Sequence, residues 1–328
     1  MTKNVILTFG YHDRESPRHR NICKAYAQEG FSITECHTQK NGLVPKLKEL
    51  GEQVKKHHTN ACALLVPFPG HHLTPFAWFI AKRYRLKLIV DMFFSLHEIT
   101  IEDRRRHSRW HPQAFFLWIL DFLCSHLPDE VIIDTEAHKK FLVDRFKANP
   151  KKVRVIYVGT REDLFRPKPL KDHPQSIFEV LFYGTYIPHQ GIEYIVQAAK
   201  TLESSHSNIH FTFIGKGQTY PAIQRIVQEL NLTNITFKPF LPLEQLAQHV
   251  RGADMCLGVF GTAPKVQNVI SHKIFDAVAC NVPILTAQSH AIREKFSEKD
   301  GVYFCRAGNP EAIADGIIKI YTAHHAQS

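Results

Sequence analysis

Along the whole chain, short apolar runs rich in β-branched and aromatic residues alternate with amphipathic stretches, the pattern of βαβ units built around parallel sheets. The runs VILTFG (5–10), FSITECH (31–37), ACALLVPF (61–68), LKLIVDMF (86–93), EVIIDT (130–135) and KVRVIYV (152–158) predict six strands with helical segments between them. RPKPLKDHPQS (166–176) breaks the alternation, because its prolines and charges fit neither period and suit an exposed connection. The alternation then restarts with EVLFYG, a helix in which Ile192, Ile195, Val196, Ala199 and Leu202 share one face, IHFTFIG, a helix from Tyr220, and ITFKPF. It continues through MCLGVF, the helix holding Asp276, VPILT and GVYFC, and ends in a helix from about Pro310 with Asn309 as its N-cap. The pattern predicts an α/β protein of two doubly wound, Rossmann-like domains facing a central cleft. Residues 1–165 form the first domain, 166–176 a linker and 177–328 the second, with the final helix able to pack back on the first. Ligands of such sheets bind beyond the carboxyl ends of the strands, so the loops that follow them carry most weight.

A length of 328 residues leaves room for two cores. With 44% hydrophobic and 22% charged residues the composition is globular, and no segment supplies the roughly 20 uninterrupted apolar residues of a transmembrane helix. The first apolar run is too short for a signal-peptide core, which predicts a cytoplasmic protein. Seven scattered cysteines without a CxxC pair argue against a disulfide framework or a zinc site and read as small buried hydrophobes. A net charge of +10 implies anionic partners: phosphorylated ligands, lipid headgroups or nucleic acid.

One carboxylate, Asp276, stands alone in the small, apolar run KIFDAVACNVPILT (273–286). In the order VLFYGTYIPHQGIEYIVQAA, FTFIGKGQTY, GADMCLGVFGTAPKVQNVISHKIFDAVACNVPILT, the second half resembles the nucleotide-sugar half of glycosyltransferase family 4, retaining enzymes of the GT-B fold. VPFPGHHLTPFAWFIAKRYRLKLIVDMFFSLHE, VIIDTEAHKKFL and VRVIYVGTREDLFRP in the first half look like that family's acceptor half. The resemblance implies that Asp276 holds the ribose hydroxyls of a donor nucleotide, a task that suits a carboxylate because it accepts two charge-assisted hydrogen bonds. Capping of the helix is the alternative reading of Asp276. Asn281 fits as the helix terminator, since asparagine tolerates the left-handed conformation. The family's second acid, eight residues earlier, is replaced here by Asn268, which either hydrogen-bonds a sugar hydroxyl or caps a turn.

A departing nucleoside diphosphate gains charge, so cations or helix N-termini must face it. The family's usual arginine and lysine are missing from the loop YGTYIPHQG, which offers Gly184, Thr185, His189 and Gln190, with Gly215 in the next glycine turn. Lys265 and Lys273 are the best substitutes; three residues before Asp276, Lys273 either faces the phosphates or pairs with that acid. On the acceptor side stand Gly10, Arg18, His71, Asp91 and Ser95, the last two resembling a DxxxS segment. Of the basic residues Arg14, Arg18 and Arg20, at least two read as a solvated helix face. The resemblance implies that a histidine near His71 contacts the transferred sugar, which places His71 with Lys273 and Asp276 in the catalytic set; an ordinary surface histidine is the alternative reading, and His72 competes for the assignment.

The retaining mechanism implied by the resemblance needs no protein nucleophile. No DxD or HExxH spacing appears, so neither metal nor cofactor is expected beyond the nucleotide diphosphate sugar, which is a substrate. The stretch 102–127 combines a basic cluster (Arg104, Arg105, Arg106), two tryptophans and an apolar helix. It reads either as a peripheral contact with the inner face of a membrane, to meet a lipid-linked acceptor, or as a core helix with Phe115, Leu117, Leu120 and Leu123 packed inward. The expected activity is transfer of a hexose-type sugar to a glycan or glycolipid hydroxyl. A nucleotide-sugar 2-epimerase and a non-enzymatic nucleotide or RNA binder are the rivals, the last disfavoured because no aromatic platform interleaved with basic residues is evident. Oligomeric state leaves no mark in this pattern.

Overall fold

The computed structural model describes residues 4–104, 108–167 and 177–326. Two units emerge, Met1–Val158 and Gly159–Ser328. The first runs β1 (Val5–Thr8), α1 (Pro17–Gln28), β2 (Ser32–Thr34), α2 (Leu43–His57), β3 (Ala61–Val66), α3 (Thr74–Tyr84), β4 (Lys87–Asp91), α4 (Pro112–His126), β5 (Glu130–Ile133), α5 (Glu136–Phe146) and β6 (Val153–Val155). Its strands form one parallel sheet in the order β2-β1-β3-β4-β5-β6. Alternate residues face opposite layers, as strand geometry requires. Leu7, Leu64, Val66, Leu88, Val90, Val131 and Ile133 pack with Leu50, Leu73 and Leu142, whereas Ile6, Leu65, Ile89 and Ile132 pack with Ile22 and Tyr26 of α1.

The second unit runs β7 (Phe178–Thr185), α6 (Ile192–Glu203), β8 (Ile209–Lys216), α7 (Tyr220–Glu229), β9 (Ile235–Lys238), α8 (Leu243–Gly252), β10 (Met255–Leu257), α9 (His272–Ala279), β11 (Ile284–Ala287), α10 (His290–Arg293), β12 (Val302–Cys305) and α11 (Pro310–His325). Its parallel sheet has the order β12-β11-β10-β7-β8-β9. The chain moves outward from β7 to β9, then returns to lay β10 on the other side of β7. That reversal leaves a crevice beyond the carboxyl ends of β7 and β10, the switch point where doubly wound sheets take their ligands. Asn309 caps α11, its side chain accepting from the Ala312 N–H at 2.8 Å, and α11 packs on α6, β11 and β12. Asn281 ends α9 in the left-handed region, with φ 55°.

Two features differ from expectation. Gly159 to Pro167 goes with the second unit, because Thr160 bonds to Asp276, Arg251 Nη1 donates to Leu164 O at 3.1 Å and Phe165 is buried. Most of the expected linker, residues 168–176, lies outside the described residues. Helix α4 buries Ala114, Leu120, Asp121, Cys124 and Ser125 but leaves Phe115 66% exposed, so its apolar character exceeds what the core takes up. Arg105 and Arg106 also lie outside the described residues. All seven cysteines are free thiols.

Candidate functional site

At the β7/β10 switch point two loops meet backbone to backbone. The β7–β8 ladder continues as far as Gly184↔Gly215 and Thr185↔Lys216. A Cβ on Gly215 would lie 2.0 Å from Gly184 O, so only glycine fits there. The loop then makes a short turn over Pro188–Gln190 and enters α6 through Gly191 (φ +66°), where a Cβ would sit 2.5 Å from Gly261 N. Phe260 N donates to Gln190 O at 3.0 Å and Gly261 N to His189 O at 3.2 Å.

Lys273, in the first turn of α9, points into this junction. Its Nζ donates to Gln190 Oε1 at 2.6 Å and to Gly258 O at 2.7 Å, and lies 4.2 Å from the centroid of the Phe182 ring. The residue is 1% exposed, and among the described residues no carboxylate pairs with it. Removal from water disfavours the ammonium and pushes the Lys273 pKa down to about 7. A buried cation surrounded by neutral acceptors is a place where a bound anion restores what desolvation takes away.

One turn further on, Asp276 is 2% exposed. Its Oδ2 accepts from Tyr183 Oη at 3.0 Å and its Oδ1 from Thr160 Oγ1. Burial raises the pKa of the carboxyl, opposed by His272 and by these two hydroxyls, and the buried Tyr183 hydroxyl is held well above its ordinary value. Lys273 and Asp276 therefore do not form the intrahelical pair that their spacing allows; each reaches a different partner.

The junction brings together Gly184, Gln190, Lys273 and, through the ladder, Gly215. His189 is half-buried, its Nε2 3.3 Å from Gln190 Nε2, whereas Thr185 is exposed. Lys265 is buried in the turn Pro264–Gln267, and Asn268 closes that turn with its N–H on Lys265 O at 3.0 Å. Sequence reasoning missed Tyr183 and Thr160, which hold Asp276 from a neighbouring strand and a distant loop. It also missed a cavity of about 710 Å³ at the ends of β11 and β12, lined by Gln267, Gln288, Ser289, His290, Arg293 and Arg306. The available signal was that these residues follow strands.

In the first unit the acceptor-side residues are largely spent on the fold. Arg18 is not a solvated residue: its Nη2 lies 2.7 Å from Asp91 Oδ1, its Nη1 donates to Ile156 O, and both charged groups are buried. Arg14 and Arg20 are the exposed pair of that run. Ser95 Oγ donates to Asp121 Oδ2 at 2.6 Å and accepts from Glu98 N at 3.0 Å, which fixes the turn after β4 rather than presenting a hydroxyl. His71 is 1% exposed, its Nε2 2.9 Å from Phe94 O, and burial lowers its pKa; His72 beside it is exposed, 3.3 Å from Tyr11 Oη. Gly10 extends β1 by a bridge to His37.

Comparison with known proteins bears on the whole chain. Residues 161–327 match the family model for glycosyl transferases group 1. A D-inositol 3-phosphate glycosyltransferase of Acidothermus cellulolyticus is 24% identical over 176 residues, 49% of this chain and 38% of that protein. The chain thus spans about two fifths of the length of the curated relatives it matches. Among solved structures, HepE of Anabaena in complex with UDP and glucose superposes with a TM-score of 0.67 at 15% identity, covering 97% of this chain and 89% of that one. WaaG, a glycosyltransferase involved in lipopolysaccharide biosynthesis, gives 0.64 at 12% identity, covering 97% and 90%. The two Rossmann-like units are those of a GT-B fold.

Proposed function

The chain belongs to the glycosyl transferases group 1, and from that premise we propose that it moves a hexose-type sugar from a nucleotide diphosphate donor to a glycan or glycolipid hydroxyl, retaining the anomeric configuration in the manner of family 4. The observation that carries this reading is the buried, anion-deficient ammonium of Lys273 at the β7/β10 switch point, one helical turn from a buried carboxylate. In this reading the diphosphate docks at the glycine-rich junction by Lys273, and Asp276 takes the ribose hydroxyls. The HepE complex with UDP and glucose supports a uridine nucleotide as the first donor to try.

In the reaction, the C1–O bond to the leaving diphosphate breaks as the acceptor oxygen bonds to C1 from the same face, and the acceptor proton passes to the departing phosphate oxygen. No protein nucleophile enters. The protein's share is positioning and stabilisation of the charge growing on the phosphate, which a preorganised cation in a dry site supplies best. A melting assay with a panel of nucleoside diphosphates and their sugars tests this: one nucleotide is expected to raise Tm clearly above the rest. A flat response across the panel, with RNA affinity that falls steeply with salt, would instead favour the nucleic-acid rival.

A membrane contact fits the lipid-linked form of the acceptor. Trp110, Phe115 and Phe116 around the start of α4 are 83%, 66% and 60% exposed, and Phe79 on α3, which packs against α4, is exposed as well. Exposed Lys82, Arg83 and Arg109 accompany them. Aromatic side chains beside basic ones suit the headgroup region of an anionic bilayer. No helix among the described residues is long and apolar enough to cross one. Co-sedimentation with anionic vesicles is expected to drop at least several-fold when Trp110, Phe115 and Phe116 are all replaced by serine; equal sedimentation of both proteins would remove the contact.

A further inference from the structure

The first unit holds a group of side chains that the transfer reaction does not use. His12 lies in the loop after β1, His19 in the first turn of α1 and Glu35 just beyond β2, so none of the three is close to another in a ligand-like sequence spacing. The fold nevertheless brings one donor atom of each to within 4.8 Å of the others. His19 Nε2 stands 2.9 Å from Glu35 Oε1, and His12 Nε2 stands 3.2 Å from Glu35 Oε2. Four donors around an ion at about 2.0–2.1 Å are roughly 3.3 Å apart, close to these separations.

His12 is 3% exposed; its Nε2 faces Glu35 Oε2 at 3.2 Å, and its buried Nδ1 makes no hydrogen bond. Two buried imidazoles, His12 and His19, thus converge on the two oxygens of one carboxylate, an arrangement that a shared cation would satisfy. Thr8 Oγ1 donates to Glu35 Oε2 at 2.8 Å and fixes the carboxylate, while Arg14 Nε, 4.0 Å from the same oxygen and exposed, is the cation now nearest from solvent.

We propose that His12, His19 and Glu35 bind a divalent transition-metal ion. Two imidazoles and one carboxylate make a borderline donor set that suits zinc, with the remaining positions left to water or a substrate oxygen. Cys23 Sγ, 3.4 Å from His19 Nε2, adds a soft donor at the edge of the group. The ion would tie the loop after β1 to the end of β2, and so fix one wall of a cavity of about 560 Å³ lined by Tyr11, His12, Arg14, His37, Lys40 and Lys46. Nδ1 of both His12 and His19 lacks a hydrogen bond, so the support that orients metal-bound imidazoles is thin. Affinity is therefore expected to fall about 10- to 100-fold short of a site with that support.

The test uses the full chain, stripped with a chelator, dialysed and loaded with zinc alone. One equivalent is expected to survive gel filtration, and His12→Gln and Glu35→Gln are each expected to lower zinc content at least tenfold. With 21 histidines in the chain, surface binding is the alternative. Zinc content that is negligible in the unaltered protein, or unchanged in both variants, overturns the site. Should the variants fail to fold, anomalous diffraction at the zinc edge from crystals of the unaltered protein decides: a peak between the three side chains supports the site, and its absence rejects it.

Discussion

Replacing Lys273 by glutamine is expected to abolish the pH dependence of nucleoside diphosphate binding, which in the unaltered protein should weaken up to tenfold for each pH unit above about 7. Burial holds the free Lys273 near 7, and an anion placed beside it raises that value, so above pH 7 binding requires uptake of a proton. A cation that must be charged to bind thus loses affinity as pH rises, by at most about 1.4 kcal/mol per unit. The stability of the ligand-free fold runs the other way. Because the folded value lies below the ordinary 10.5, the unfolded chain holds the extra proton between about 7 and 10.5. Lys273 therefore makes the fold more stable as pH rises through that window and adds no further slope above it. Opposite pH slopes for ligand affinity and ligand-free Tm, both flattened in Lys273→Gln, are the expected pattern. The glutamine can still donate toward Gly258 O or Gln190 Oε1, so the loop contact is partly kept while the charge is lost. Isothermal titration with the preferred diphosphate between pH 6 and 9 measures the first slope. Equal slopes in the variant and the unaltered protein would remove the phosphate role.

Architecture was legible because it depends on pattern. Twelve apolar runs predicted twelve strands, and each is found, shorter at its ends where the apolar run continues into a loop, as Met92 and Phe93 do beyond β4. Asn281 and Asn309 were readable for the same reason: a left-handed terminator and an N-cap are local requirements. The site was legible only as far as the chain's own neighbours carry it. Gly184, Gln190 and Lys273 were all singled out in sequence, but that Lys273 is bound by Gln190 depends on an 83-residue separation that no spacing records. Two of Arg14, Arg18 and Arg20 were expected to be solvated, and Arg14 and Arg20 are exposed; that Arg18 is the one turned inward depends on Asp91, 73 residues away at the end of β4. Phe115 failed in the opposite sense. Its spacing fits an inward face, yet the core under α4 is already filled by Ala114, Leu120 and Cys124.

Asp276→Asn is expected to cost about 10- to 100-fold in affinity for the nucleoside diphosphate. The amide keeps the shape of the carboxylate but surrenders charge-assisted bonds worth roughly 1.5–3 kcal/mol each. In the ligand-free protein, Thr160 and Tyr183 each donate to one oxygen of the buried Asp276, so the vicinal hydroxyls of a ribose compete with them for access to the carboxylate. Thr160 is the more accessible donor: it is half-buried in the loop that opens the second unit, whereas Tyr183 is fixed within β7 and fully buried. Thr160→Val therefore removes a competitor, and nucleotide affinity is expected to rise by up to about tenfold, the worth of one hydrogen bond. Opposite effects at one carboxylate separate the two roles open to it. If Asp276 serves only to pin Thr160 and Tyr183, both substitutions lower the ligand-free Tm and leave nucleotide affinity where it was. If it receives the ribose, affinity falls in Asp276→Asn and climbs in Thr160→Val, because removing the internal donor releases the acceptor that the ligand needs.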